Sequence, residues 1–187
     1  DAIPEELSSS PYGSTTPYER AAFGGLNPVT IPGPEKFAGE KGKKYDRVII
    51  DLPDPHNEAL SKLYSKEFYN IVKKRMNVGA ILVTQSSSPF FVKRAFWSIN
   101  KTLEHVFNNS TPYNISLPSF GIWGFNLVTL NNNIPENWTF EAKTRSISNA
   151  SMKKSLIFEK DLLKVKVPIN TIFQPKLYDL YATDMSN

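Results

Sequence analysis

Two patterns of apolar and polar residues divide this chain near residue 44. Before that point no period holds. Ser8-Ser9-Ser10-Pro11, Gly13-Ser14-Thr15-Thr16-Pro17, Gly24-Gly25, Asn27-Pro28 and Pro32-Gly33-Pro34 follow one another closely, which is loop chemistry. From residue 45 the pattern alternates between strand and helix. Val48, Ile49 and Ile50 form a β-branched run cut off by Asp51, Pro53 and Pro55. This predicts a strand buried on both faces, as in a parallel sheet. The prolines cannot continue a ladder, so the strand ends near Asp51. Ser65 is a candidate N-cap, followed by Phe68, Ile71, Val72 and Met76 at helical spacing. Lys73, Lys74 and Arg75 come near the end of that helix, where positive charge suits the dipole, and Gly79 is expected to terminate it. Ala80 to Thr84 reads as a second buried strand, with Gln85 at its carboxyl end on the same edge as Asp51. Pro89 is expected to open a longer helix reaching Phe107, with Phe96, Ile99, Leu103 and Val106 on one face. Tyr113 to Leu117 and Phe125 to Leu130 then read as an antiparallel hairpin, joined by a loop of about six residues containing Gly121 and Gly124.

The order strand, helix, strand, helix, hairpin predicts an α/β fold: the C-terminal half of a Rossmann-like, doubly wound domain of the S-adenosylmethionine type, with parallel strands, helices and a terminal antiparallel hairpin. Residues 1–44 are expected to be a Pro/Gly/Ser-rich loop or insertion, and residues 45–187 the domain proper. Within it, 140–187 reads as a peripheral tail with short helices near Ser151–Phe158 and Gln174–Tyr181. No internal repeat is visible.

Composition narrows the chemistry. The 187 residues suffice for one domain with a real core, and 40% apolar with 21% charged residues is a soluble globular balance. The formal net charge is +4. Lys41, Lys43 and Lys44, and Lys73, Lys74 and Arg75, read as solvated faces and not as a nucleic-acid footprint, which needs a denser stripe. A basic face near a membrane surface stays open. The absence of cysteine excludes disulfides, a cysteine nucleophile and thiolate metal sites. His56 and His105 do not share a metal-ligand spacing, so no metal site is expected; His105 reads as a surface or helix C-terminal residue. The apolar runs are shorter than a membrane span, and no signal peptide opens the chain. Gly24-Gly25 is not followed by a strand-to-helix pattern and is not a phosphate-cradling loop. The Asn-x-Ser/Thr triplets at Asn100, Asn108, Asn114, Asn137 and Asn149 carry little weight in a chain so rich in asparagine.

The candidate chemistry lies just past the first strand. Asp51 stands at its carboxyl end and Asp54 three residues on, in the loop. In open α/β sheets this is the edge where ligands bind. Two carboxylates there suit a cationic ligand or a proton transfer. Asp and Pro are also ordinary turn residues, so a purely local role stays open.

The run Tyr45-Asp46-Arg47-Val48-Ile49-Ile50-Asp51-Leu52-Pro53-Asp54-Pro55 resembles the catalytic loop of the spermidine synthases, the polyamine aminopropyltransferases. The resemblance continues through Ala59, Leu60, Leu63-Tyr64-Ser65, Glu67-Phe68-Tyr69 and Gly79 to Gln85. It goes on through Ser88-Pro89-Phe90-Phe91, Ala95-Phe96-Trp97 and Pro118 to Phe125, where it is similar to the bacterial branch with membrane-associated members. It is close over residues 45–130 and weaker over 140–182. It implies transfer of an aminopropyl group from decarboxylated S-adenosylmethionine to a polyamine acceptor such as putrescine, with no prosthetic group. By the same resemblance Asp51 is the catalytic base. Asp54 and Gln85 meet the amine, Phe120 and Trp123 cover its methylene stem, and Pro55, Ala59, Leu60 and Leu63 line the nucleotide side. Tyr64 counts with the substrate-binding residues and packs beside that side, but a core aromatic for Tyr64 and plain hairpin packing for Phe120 and Trp123 stay open. Asp1, in Asp1-Ala2, matches a step whose aspartate holds the adenine. Phe120 stands where the family often has a tyrosine, which leaves the acceptor preference open.

Nothing in the chain corresponds to the family's glycine-rich nucleotide loop, so the fragment alone is expected to be inactive. Two other readings stand beside the enzyme: a non-catalytic binding or assembly module that kept the fold, and an S-adenosylmethionine-dependent methyltransferase. The resemblance further implies a cytoplasmic domain and a homo-oligomer, and leaves a membrane domain preceding Asp1 open. A half-sheet is expected to expose its first strand and an apolar face, to be covered by a second chain or by Phe23, Leu26, Val29 and Ile31 from the segment 3–44.

Overall fold

The computed structural model describes residues 43–130, 144–145 and 147–186. Asp1 and the covering segment 3–42 lie outside the described residues. Strand β1 (Tyr45–Ile50) leads through helices α1 (Glu58–Lys62) and α2 (Lys66–Lys74) to β2 (Met76–Gln85). Helix α3 (Lys93–Phe107) connects β2 to the hairpin of β3 (Thr111–Leu117) and β4 (Gly121–Thr129). Helix α4 (Asn149–Ser155), a 3-10 turn at Lys160–Leu162 and helix α5 (Lys176–Met185) follow. The strands form one sheet in the order β1-β2-β4-β3, with β1 and β2 parallel and the other pairs antiparallel. This is the expected α/β half-domain.

Side chains alternate across a strand, and the register shows which residues share a face. Val48 pairs with Leu82, and Leu82 with Val128; all three are buried. Gly124 and Asn126 lie on the same face, where they meet Phe96 and Asn100 of α3. The other face differs from expectation. Val48–Ile50 is not buried on both sides, because Ile49 is 72% exposed and Ile81, on the same face, 38% exposed. Among the described residues β1 is an edge strand, and α3 covers only the Val48 face.

Three element boundaries move from their expected places, each for a local reason. Gly79 does not end α2. The helix stops at Lys74, with Arg75 as C-cap, because Met76 already pairs with Tyr45. Gly79 lies inside β2 with φ +82°, where the register jumps from Tyr45↔Met76 to Arg47↔Ile81; an irregular strand residue in left-handed conformation favours glycine. Pro89 does not open α3, which begins at Lys93. The Ser88 hydroxyl accepts from the amides of Phe90 and Phe91 at 3.2 and 3.3 Å, making a turn first. The hairpin loop is shorter than expected. Pairing extends to Leu117↔Gly121, leaving only Pro118, Ser119 and Phe120 between the strands, with Gly121 at φ +74°, a usual pattern for a loop of this length.

The segment expected to be a peripheral tail packs on α3. Leu162, Val167 and Leu177 are buried, the Trp97 indole donates to the Leu162 carbonyl at 3.0 Å, and Phe158 packs on Phe96 and Trp97. The reason is visible in α3 itself. Ala95 through Asn100 are all buried, which a helix lying on a sheet by one face alone cannot achieve.

Asn170 ties this segment down. It is wholly buried. Its side-chain amide donates to the Ser61 carbonyl at 2.7 Å, its Oδ1 accepts from the Leu177 amide at 3.3 Å, and its backbone N–H donates to Thr102 Oγ1 at 2.9 Å. Asn170→Ala removes one bond to the Ser61 carbonyl, which the Tyr64 amide still pairs at 3.2 Å, and leaves the Leu177 amide unpaired in the interior. It is expected to destabilise the fold by about 3 kcal/mol, read from the midpoint of urea unfolding.

No described helix is long and apolar enough to cross a membrane.

Candidate active site

The site follows from where two parallel strands end. Ile50 pairs with Thr84, so Asp51 and Gln85 leave the sheet side by side at its carboxyl edge. Pro53 and Pro55 keep the chain after Asp51 from rejoining the ladder. Asn57 then starts α1, its Oδ1 accepting from the Leu60 amide at 2.9 Å, and this fixes the far end of the loop.

Tyr64 holds the near end. Its hydroxyl lies 3.1 Å from the Leu52 carbonyl, 3.0 Å from the Pro53 carbonyl and 3.0 Å from Gln85 Oε1, and donates its single proton among them. Burial pushes the phenol's pKa well above 10.0, helped by nearby Tyr69, Asp54, Asp51 and Tyr181, so Tyr64 stays a neutral donor. Of the two places open to it, the substrate side and the core, it takes the core: it is fully buried and reaches the loop and Gln85 by its hydroxyl.

Gln85 passes this order on. With Oε1 accepting from Tyr64, its Nε2 donates to Asp54 Oδ1 at 3.0 Å. The reverse orientation would set an amide oxygen against a carboxylate, so the neighbours fix the amide. Asp54 receives two further bonds: from Ser87 Oγ to Oδ1 at 2.7 Å, and from the Tyr181 hydroxyl to Oδ2 at 3.3 Å. Neither Ser87 nor Tyr181 is marked by the sequence pattern.

Ser87 adopts φ 66°, a left-handed conformation that is costly outside glycine and that clusters at functional sites. Its carbonyl accepts from the Gly124 amide at 2.8 Å, and the Gly124 carbonyl accepts from the Ser86 amide at 2.9 Å. β4 thereby grips the turn that carries the Ser87 hydroxyl.

Asp51 differs in kind. It is exposed, and no hydrogen bond from another described residue to its carboxylate is present. The protein around it still removes enough water to raise its pKa above 3.8, through desolvation. One carboxylate is thus held by neutral donors, and the other is unclamped and partly desolvated. Environments that separate two carboxylates in this way commonly separate their roles.

The remaining candidates lie around this centre. Pro55 is buried, Leu60 and Leu63 partly buried, and Ala59 exposed. Phe120, 53% exposed at the hairpin tip, meets Trp123 edge to face at 6.0 Å. Trp123 lies in β4 and not in the loop. Phe91 approaches the same tip, 3.5 Å from where a Cβ on Gly121 would stand. The structure therefore joins Asp54, Gln85 and Tyr64 in one hydrogen-bonded group, with Asp51 beside it and an aromatic pair on the hairpin. Asp1 is outside the described residues.

Fold and site together define an α/β domain of the Rossmann-like type with an acidic carboxyl edge. The Spermine/spermidine synthase domain family matches residues 30–141, and the chain belongs to that family. It is 30% identical over 156 residues to the polyamine aminopropyltransferase of Oceanobacillus iheyensis, covering 81% of this chain and 30% of that protein. It is 35% identical over 147 residues to polyamine aminopropyltransferase 1 of Streptomyces coelicolor, covering 78% of this chain and 28% of that protein. The chain thus spans less than a third of the length of these relatives. Its fold is similar to that of spermidine synthase from Thermotoga maritima, with a TM-score of 0.56 at 19% identity over 70% of this chain and 47% of that one.

Proposed function

We propose that this chain is the acceptor-binding and proton-accepting part of a polyamine aminopropyltransferase, which moves an aminopropyl group from decarboxylated S-adenosylmethionine to a diamine such as putrescine. The carrying observation is the pair of unlike carboxylates at the carboxyl ends of β1 and β2, with Asp54 clamped and Asp51 free. Membership of the family supports the same reading.

The chemical difficulty is the nucleophile. An aliphatic amine resembles the lysine side chain, with a pKa of about 10.4, and arrives protonated. Asp54 holds one ammonium by charge and hydrogen bond. Asp51 takes a proton from the reacting ammonium. The freed nitrogen lone pair then attacks the propyl carbon next to sulfur. A carbon–nitrogen bond forms and the carbon–sulfur bond breaks. Its electron pair returns to sulfur, and the positively charged sulfonium becomes the neutral thioether of methylthioadenosine. The sulfonium is already a good leaving group, so what these residues supply is positioning and one proton transfer. Phe120 and Trp123 offer apolar rings to the methylene stem.

In the intact protein, the exposed Ile49 and Ile81 fit a face covered by another part of the chain or by a second copy. A cytoplasmic catalytic domain, with or without a membrane anchor, belongs to the same reading.

Asp51 acts only when deprotonated, and desolvation raises its pKa above 3.8. The acid limb of kcat/KM is therefore expected to lie above that value, with activity lost as pH falls through it. The test of acceptor binding is calorimetric titration of the full-length protein with putrescine in the presence of methylthioadenosine. Binding is expected in the wild type and lost in Asp54→Ala. Equal affinity in both would contradict the assignment of Asp54.

A further inference from the structure

Helix α5 reaches the acidic edge from 127 positions along the chain, where the Tyr181 hydroxyl lies 3.3 Å from Asp54 Oδ2. We propose that Tyr181 is a positioning residue for the acceptor: it fixes the Asp54 carboxylate so that a single acceptor position, on Oδ2 beside the Tyr181 oxygen, is left for the incoming ammonium. The proposal rests on the reading of this edge as an amine site.

The argument is one of hydrogen-bond capacity. An ionised carboxylate accepts about four hydrogen bonds, roughly two at each oxygen. Gln85 Nε2 and Ser87 Oγ both donate to Oδ1. Tyr181 donates to Oδ2. Among the described residues one position remains, and the partner that takes it stands next to a phenol oxygen whose proton is turned toward Asp54. That oxygen presents lone pairs, so an ammonium there finds two acceptors, one charged and one neutral. A ligand that only accepts hydrogen bonds finds none of what it needs.

The helix that carries Tyr181 is pinned on both sides of it. On one side Leu177 is wholly buried, and its amide donates to Asn170 Oδ1. On the other, Asp184 accepts from the Arg94 backbone amide at 2.7 Å and from Arg94 Nε at 2.6 Å. Arg94 lies in the first turn of α3, so both ends of α5 are referred to elements that pack on the sheet. A hydroxyl held this way is placed by the fold and does not depend on a wandering side chain.

A separation of 3.3 Å is long for a hydroxyl donor, and bonds of this kind tighten when a ligand completes the site. The Tyr181 phenol is raised above its ordinary 10.0 by desolvation first, then by the charge of Asp54 and the hydrogen bond to it. It remains a donor throughout the range in which such an enzyme works. The titratable groups interacting with it are Asp54 and Tyr64.

The experiment uses the full-length protein with decarboxylated S-adenosylmethionine and putrescine. Tyr181→Phe is expected to raise KM for the amine about tenfold, with KM for the nucleotide unchanged. In an Asp54→Ala background, read as kcat/KM for the amine below saturation, the same change is expected to add nothing, since the two residues act as one unit. An unchanged amine KM, or an equal effect in both backgrounds, would overturn the proposal. A second readout needs no catalysis. With ring-labelled tyrosine and Tyr181→Phe to assign the signal, the Tyr181 phenol is expected to titrate above 10.0 and to drop on Asp54→Asn. A phenol indifferent to Asp54→Asn would overturn the proposal, whereas a wild-type protein that transfers no aminopropyl group would overturn the functional reading beneath it.

Discussion

Asp51→Asn is expected to lower kcat for aminopropyl transfer by about a hundred- to ten-thousand-fold, the usual range for losing a general base. The substitution keeps the shape of the side chain and removes its basicity. KM for the amine is expected to change little, because Asp54 keeps its bonds from Gln85, Ser87 and Tyr181. Stability is expected to hold as well, and the sign follows from the raised pKa. A carboxylate whose pKa partial desolvation lifts above 3.8 is disfavoured in its charged form by folding. Its contribution to stability is present below the unfolded-state pKa and is lost as pH rises through the folded one. At neutral pH a neutral amide at position 51 removes that penalty, so the thermal midpoint is expected to be unchanged or slightly higher. Steady-state kinetics and a thermal melt on the same preparation separate loss of chemistry from loss of fold. A variant that keeps wild-type kcat removes Asp51 from the mechanism.

Gly124→Ala is expected to destabilise the protein by about 2–3 kcal/mol, the scale of overpacking a tight core. A Cβ at this position would stand 2.4 Å from Cε2 of the Phe96 ring and 2.8 Å from the Ser87 carbonyl oxygen. Phe96 is fully buried against Trp97 and Phe158, so its ring has little room to give. The other neighbour is backbone, in a residue already at φ 66°. Any movement of Ser87 carries its hydroxyl away from Asp54 Oδ1, which is only 2.7 Å distant. The substitution is therefore expected to lower the urea midpoint and to raise KM for the amine together. An unchanged midpoint would show that α3 shifts freely on β4, and the clamp on the Ser86–Ser87 turn would then carry no weight.

The parts of this fold legible in the sequence are those set by local chemistry. The prolines after Asp51 end β1, Gln85 ends β2, and Ser65 caps α2, its Oγ accepting from the Phe68 amide at 3.2 Å. These signals need no knowledge of distant residues, and they place the two aspartates and Gln85 on one edge. What the sequence hid depends on the partner a segment meets. Ile49 belongs to an apolar run that looks buried on both faces, yet exposure depends on what lies across the sheet. Gly79 sits where a helix terminator is expected, but pairing of Met76 with Tyr45 had already decided the boundary. Trp97, Ser98 and Thr102 gave α3 a second buried face because residues after 157 fold back on it, which no short period can reveal. Ser87 could have been noticed as a hydroxyl just past a strand end; its left-handed backbone could not. Tyr181 reaches Asp54 only because α5 is anchored through Asn170 and Arg94, and a lone tyrosine in a C-terminal helix carries no mark of that.

The most direct test is to incubate the full-length protein with decarboxylated S-adenosylmethionine and putrescine and to identify the products by mass spectrometry. The account predicts equal amounts of spermidine and methylthioadenosine, formed by the wild type and nearly absent with Asp51→Asn. Formation of a methylated amine from S-adenosylmethionine, or tight binding of both ligands with no transfer at all, would contradict it.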